Sequence, residues 1–167
     1  VNGPNLNLIG KREPAIYGNT DFEDWFRGVR NTYAARNVAL EYRQSNIEGE
    51  LIDFIQAADG IYDGVILNAG GYTHTSVAIA DAIRAVEVPV VEVHISNIFA
   101  REEYRRLSLT GAACRGAVTG FGLDSYLLAI LPLKIGGSPL SPGEPPILRG
   151  TRITHSEEAP SPDSLWN

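Results

Sequence analysis

Val88-Pro89-Val90-Val91-Glu92-Val93-His94 is the stretch on which the fold turns. Its density of β-branched residues reads as a strand. The near absence of polar alternation means a strand covered on both faces, as in a parallel sheet between helices. The flanking segments supply those helices. Residues 76–86 space alanine and isoleucine helically, and residues 48–58 carry Leu51, Ile52 and Ile55 on one face. Residues 21–36 place Phe22, Trp25, Phe26, Val29 and Tyr33 at helical spacing behind Asp21, a suitable cap.

Between these helices, residues 38–44 alternate as a strand and residues 64–67 form a short apolar one. Beyond His94, residues 97–106 read as a short exposed helix, 117–120 as a strand and 123–131 as a closing helix. Val1 reads as the end of a first strand. The order βαβαβαβαβα implies an α/β fold with right-handed crossovers. For five strands the natural candidate is a flavodoxin-like, five-stranded parallel sheet, order 2-1-3-4-5, with helices on both faces. Residues 1–131 then form one domain, which suits 167 residues that are 44% apolar. Residues 132–167 hold seven of the ten prolines and are expected to be a poorly ordered tail. A proline-rich docking segment near 139–146 is the less favoured reading, and His155 is expected to be solvated.

Charge and cysteine content narrow the partners. A net charge of -6 without a basic block disfavours nucleic acid and anionic membranes, leaving a small molecule. Cys114, the single cysteine, has no partner for an internal disulfide, and no apolar run reaches the roughly 20 residues of a membrane span. A cytoplasmic setting is expected. No signal peptide is read, and the absence of methionine leaves residues before Val1 open.

The opening segment, residues 2–18, crowds amides, glycines, cations and Tyr17 into a stretch too irregular for helix or strand. Loops of this length in compact domains are usually functional or disordered; apolar anchors favour an active-site loop with a lid. It joins residues 44–50, residues 68–76 and residues 92–97 running into Arg101 and Arg105, all at predicted strand ends. Ligands of open parallel sheets bind there, so the four clusters are expected to share one crevice.

The chemistry available follows from those clusters. His94 is either a satisfied core residue or, with Glu92 on the same strand face, a tautomer-fixed general acid kept protonated near neutral pH. His74, read as beginning a helix, is either a cap or, beside Asn68, a donor to substrate hydroxyls. Arg101 and Arg105, four apart, share a helix face that is either solvated or turned toward an anionic substrate. Tyr17 is either a loop anchor or a base. As a base it needs a pKa lowered by two to three units from about 10, which takes about 3 to 4 kcal/mol from cations such as Arg12 and Arg101. No metal-ligand spacing, Gly-x-Gly-x-x-Gly or P-loop occurs, so neither metal nor nucleotide cofactor is expected. Gly70-Gly71 alone reads as a turn.

Taken jointly, Asn2-Gly-Pro-Asn-Leu-Asn-Leu, Gly10-Lys-Arg-Glu-Pro with Tyr17-Gly18, Gln44-Ser-Asn, Glu48-Gly-Glu-Leu, residues 68–76, Glu92-Val-His-Ile-Ser-Asn and Ala100-Arg-Glu-Glu-Tyr-Arg resemble the type II 3-dehydroquinate dehydratases, or type II dehydroquinases, over residues 1–131. The resemblance implies a flavodoxin-like subunit, commonly a homododecamer of four trimers, that converts 3-dehydroquinate to 3-dehydroshikimate and water without cofactor or metal. It implies Tyr17 as the base at C2, with Arg12 on the lid and Arg101 favouring the phenolate. Asn5 would position a water against the enolate, and His94, oriented by Glu92, would protonate the leaving C1 hydroxyl. Asn68, Ser96 and the Ile95 and Ser96 amides would hold the carboxylate. His74 and Arg105 would take the ring hydroxyls, and Asp81 would come from a neighbouring subunit.

Ile47 and Phe99 stand where many relatives have histidine, and residues 107–115 depart from the usual sequence. The alternative is a flavodoxin-like binding or regulatory module without turnover; a missing Tyr17, Arg12 or His94 would have favoured it. A quinate-degrading enzyme would run the same reaction in another pathway. The Schiff-base dehydroquinases need a desolvated lysine, which neither Lys11 nor Lys134 is placed to be.

Overall fold

The computed structural model describes residues 1–10 and 21–134. Arg12, Tyr17, Lys11 and the expected tail, apart from residues 132–134, lie outside the described residues. At the centre is the valine-rich strand β2 (Val90–His94), every residue of which is buried. It pairs in parallel with β1 (Val65–Leu67) on one side and β3 (Gly116–Thr119) on the other, in register Val65↔Val90 and His94↔Thr119.

Successive β2 side chains serve opposite faces. Val90 packs with β1 Val65 and Leu67 under Leu51 and Ile55 of α2 (Glu48–Ala57) and Ile79 and Ile83 of α3 (Val77–Ala85). Val91 and Val93 pack with Phe22 of α1 (Phe22–Ala34) and with Tyr126 and Ala129 of α4 (Asp124–Lys134). Helices therefore cover both faces, as the apolar density of β2 demands. Helix starts follow local chemistry: the Asp21 carboxylate accepts from Glu23 N at 2.8 Å, and Ser76 Oγ accepts from Ile79 N at 2.9 Å. Phe22 anchors α1 among Trp25, Tyr42 and Tyr126, with ring centroids 4.9 to 5.3 Å away.

Two expectations need correction and a third is met in part: of the five strands expected, three form the sheet among the described residues. Residues 38–44 do alternate in burial, but pairing there is confined to single parallel bridges of Asn2 with Gln44 and with Asn68. Asn2 N donates to Arg43 O and Ser45 N to Asn2 O, after which Gly3 turns to Asn68 O and Pro4 has no N–H to continue a ladder. Residues 97–106 are two short 3-10 turns, Ile98–Ala100 and Glu103–Arg105, interrupted where Arg101 is extended. The closing helix passes residue 131 to end at Lys134. Pro132 sits near its end, and Leu133 packs over Gly64.

Candidate active site

At the carboxyl edge of the sheet a cavity of about 310 Å³ opens. Its floor is the end of β1, Asn68, and the end of β2, His94 with Ile95 and Ser96. One wall is the opening segment from Pro4 to Ile9; the other is the 3-10 turn Gly70–His74 together with Arg101 and Arg105. Parallel strands direct their carboxyl ends to one side, so residues far apart in the chain meet there.

Glu92 and His94 form the buried centre, 1% and 6% exposed. His94 Nε2 lies 2.9 Å from Glu92 Oε1. Ser108 Oγ donates to both carboxylate oxygens, at 2.8 and 2.9 Å, and the Thr110 hydroxyl donates to Oε2. Burial by itself would raise the Glu92 pKa, but the bonds from His94, Thr110 and Ser108 and the His94 charge outweigh it and hold the carboxyl below its ordinary value. An ionised carboxylate only accepts, so the Nε2 proton belongs to His94 and Nδ1 is the nitrogen left for the cavity. Gly111 packs against this pair so closely that a Cβ there would stand 2.7 Å from Glu92 Oε1.

His74 faces His94, with rings near parallel at 17° and centroids 6.4 Å apart. Its Nδ1 is 2.7 Å from Leu107 O, and a carbonyl only accepts, so the proton sits on Nδ1 and Nε2 is left free of that bond. The expectation that His74 begins a helix is overturned: it ends a 3-10 turn, and Ser76 caps α3. Asn68 donates from Nδ2 to Tyr126 OH at 2.9 Å and accepts from Gly70 N at 3.2 Å, which fixes its amide plane and leaves one N–H. Tyr126 OH in turn donates to Asn2 Oδ1 at 3.0 Å. Gly70 adopts φ 59°, and Gly3 lies so near Ala69 O that a Cβ would be 2.5 Å away; these close approaches seat the opening segment against the end of β1.

Asn5, left-handed at φ 67°, lines the cavity with its N–H donating to Asn46 Oδ1 at 2.9 Å. Residues 44–50 brace that segment from behind, Gln44 reaching Gly3 O and the Asn46 side chain, and they do not line the cavity. Arg101 and Arg105 both reach it, about one third exposed, with Glu102 Oε2 3.5 and 3.4 Å from their Nε atoms. The shared helix face assumed for them does not exist, yet both side chains arrive, Arg101 from the extended residue between the two 3-10 turns and Arg105 from the second turn. The Arg105–Glu102 contact is an ion pair without hydrogen-bond alignment, since the buried Arg105 Nε has no such partner. Asp81 is exposed on α3, paired with Arg84 at 3.1 Å and outside the cavity of its own chain.

Thus eight of the twelve expected site residues line the cavity, and Glu92 stands directly behind. Sequence reasoning missed Ser108, Thr110 and Tyr126; the only signal was a Ser-x-Thr alternation before Gly111. Among the described residues no three His, Cys, Asp or Glu side chains converge as a metal site would. Two imidazoles with assigned tautomers facing two guanidiniums can orient an anionic, hydroxylated molecule and exchange a proton with it.

Comparison with known proteins agrees with this chemistry. Residues 1–134 match the family described as dehydroquinase class II. The chain is 53% identical over 136 residues to a 3-dehydroquinate dehydratase of Fusobacterium nucleatum, covering 80% of this chain and 92% of the relative. It is 54% identical over 141 residues to that of Rhodopseudomonas palustris, covering 83% and 93%. The solved type II dehydroquinase from Butyrivibrio crossotus superposes with a TM-score of 0.76 at 44% identity, over 80% of this chain and 93% of that one. The chain therefore belongs to the dehydroquinase class II family.

Proposed function

We propose that this chain converts 3-dehydroquinate to 3-dehydroshikimate and water, a carbon–oxygen lyase step of the shikimate pathway. The observation that carries the reading is the buried Glu92–His94 pair opening on a cavity that also holds Asn68, His74, Arg101 and Arg105, in a chain of this family.

The elimination divides among the side chains as follows. Tyr17, as phenolate, takes the C2 proton, and Arg12 and Arg101 stabilise that phenolate. Charge passes onto the C3 carbonyl as an enolate, met by a water that Asn5 positions. The electron pair then forms the C1–C2 double bond as the C1 hydroxyl departs with the proton of His94, leaving as water by trans elimination. Glu92 offsets the charge of His94 while it holds that proton. Asn68, Ser96 and the Ile95 amide bind the carboxylate; His74 and Arg105 bind ring hydroxyls. Asp81, exposed on α3, serves the site of a neighbouring subunit in a homododecamer. The Asn2 bridges extend the three strands toward the 2-1-3-4-5 order, and the setting is cytoplasmic.

Addition of 3-dehydroquinate to the protein should raise ultraviolet absorbance as the conjugated product forms, with Tyr17→Phe nearly inactive but still binding ligand. Absence of any rise at neutral pH refutes the reading, and a Tyr17→Phe variant with wild-type kcat refutes the assignment of the base.

A further inference from the structure

We infer that residues 107–111 are a strap that fixes both cavity histidines, with Ser108 and Thr110 as positioning residues for the Glu92–His94 pair. The inference deepens the dehydratase reading and rests on it for its kinetic arm.

The strap is one short run with consecutive duties. Leu107 O takes the Nδ1 proton of His74 at 2.7 Å. Ser108 and Thr110, on alternate positions, aim their hydroxyls at the Glu92 carboxylate, which takes the Nε2 proton of His94. Between them Leu109 N donates to Thr73 O at 2.9 Å, which ties the strap to the turn bearing His74. Gly111 N donates to Ser108 Oγ at 2.7 Å, which occupies a lone pair of that hydroxyl and directs its proton to the carboxylate. Thr110 is fully buried, so its hydroxyl has no water to turn to.

The geometry has a consequence that plain packing lacks. Without these hydroxyls the Glu92 carboxylate keeps His94 as its remaining side-chain donor, and burial then raises its affinity for a proton. The titratable groups facing Glu92 among the described residues are His94 on its own strand and the Cys114 thiol from the turn after Gly111. The neighbouring strands present Leu67 and Ala117 in register with it. His74 stands beyond His94.

The test is the full-length double variant Ser108→Ala/Thr110→Val beside Thr110→Ser, which keeps the hydroxyl. Outer partners that orient metal-bound histidines are worth about 10- to 100-fold, and the same scale is expected for the hydroxyls that hold the carboxylate against His94. The double variant should lose kcat on that scale with KM changed less than about threefold, and the low-pH limb of its kcat profile should move to higher pH. Thr110→Ser should restore both. Independently of turnover, nitrogen-15 histidine spectra taken at a pH high enough to leave both rings neutral should show His74 as the Nδ1–H and His94 as the Nε2–H tautomer in wild type, with the His94 signal averaging in the double variant. If the double variant does not fold, Ser108→Ala is read in the same assays. Wild-type kcat and limb in the variant overturn the inference. So does a loss of kcat with the limb and the His94 signal unmoved, which marks structural damage alone. A wild-type protein without turnover would sink the dehydratase reading while the spectra still decide the strap.

Discussion

Glu92→Gln separates what the buried carboxylate does for stability from what it does for chemistry. Its two oxygens accept from His94, from Ser108 twice and from Thr110. Glutamine keeps one acceptor oxygen and puts an NH2 where the other stood. With that NH2 toward His94, two donors would face each other. With it toward Thr110, the hydroxyl can turn to accept, so the second arrangement wins and His94 keeps its tautomer. Three charge-assisted bonds worth about 1.5–3 kcal/mol become neutral ones worth about 0.5–1.5 kcal/mol, a gross loss of about 3 kcal/mol. Glutamine also avoids the desolvation of a buried charge, so the net change in stability is small, about 0–2 kcal/mol. The barrier has no such offset: a charged His94 beside a neutral amide forfeits about 2–3 kcal/mol, or roughly 30- to 150-fold in kcat. Kinetics and thermal melts at neutral pH therefore diverge, and a folded variant with kcat within threefold of wild type refutes the reasoning. Acid sharpens the contrast. The folded Glu92 pKa lies below its ordinary value of 4.5, so its contribution to stability is complete above pH 4.5 and is lost as pH falls through the lower folded pKa. The melting difference between wild type and Glu92→Gln should shift in favour of the variant from pH 6 to pH 3; a difference that ignores pH contradicts the linkage.

Gly111→Ala should lose about 1–3 kcal/mol of stability and most of its activity, because the new Cβ would stand 2.7 Å from both Glu92 Oε1 and Ser108 Oγ; an unaltered melting temperature counts against this. Tyr126→Phe removes the hydroxyl between Asn68 and Asn2 and should cost about 1–3 kcal/mol, with KM raised as Asn68 loses its orientation. If both melting and KM stay at wild type, that network is idle. The Cys114 thiol, pushed up to about 12 by burial and then by the Glu92 charge, should alkylate at pH 8 at least about 100-fold more slowly than in the denatured chain. Glu92→Gln should speed it; a native rate within tenfold of the denatured one disproves the burial.

Local chemistry explains which elements could be read from residues alone. The valine run of β2, the aromatic stripe from Phe22 and the Asp21 cap are decided within a few residues, and each forms as expected. Glu92 and His94 are two apart on one strand, so strand geometry alone brings their side chains together. Residues 97–106 failed because side-chain bonds to the backbone, two local and one from Thr119 on β3, overrode propensity. The Asn97 side chain accepts from Phe99 N, Thr119 Oγ1 from Ile98 N, and Arg106 Nε donates to the Arg101 carbonyl. The arginine argument thus reached the right residues through the wrong element. Ser108 and Thr110 bond a carboxylate 16 and 18 residues earlier, a distance at which nothing in a lone hydroxyl marks its partner.

The two histidines explain why such a remote strap matters. Their rings are 6.4 Å apart, where two positive charges at an effective dielectric constant of about 20 repel by about 2.6 kcal/mol. One ring has a carboxylate for its partner and the other a neutral carbonyl, so only His94 has a counter-ion beside it. The nitrogens left for the cavity are Nε2 of His74 and Nδ1 of His94, and under the proposed mechanism the first meets a substrate hydroxyl and the second passes the proton. Similar rings thus take opposite duties because Leu107 presents a backbone oxygen to one while Ser108 and Thr110 hold a carboxylate against the other. Moving the strap by one residue would still offer His74 a backbone carbonyl, but it would set leucine or glycine where the two hydroxyls face the carboxylate and erase that difference.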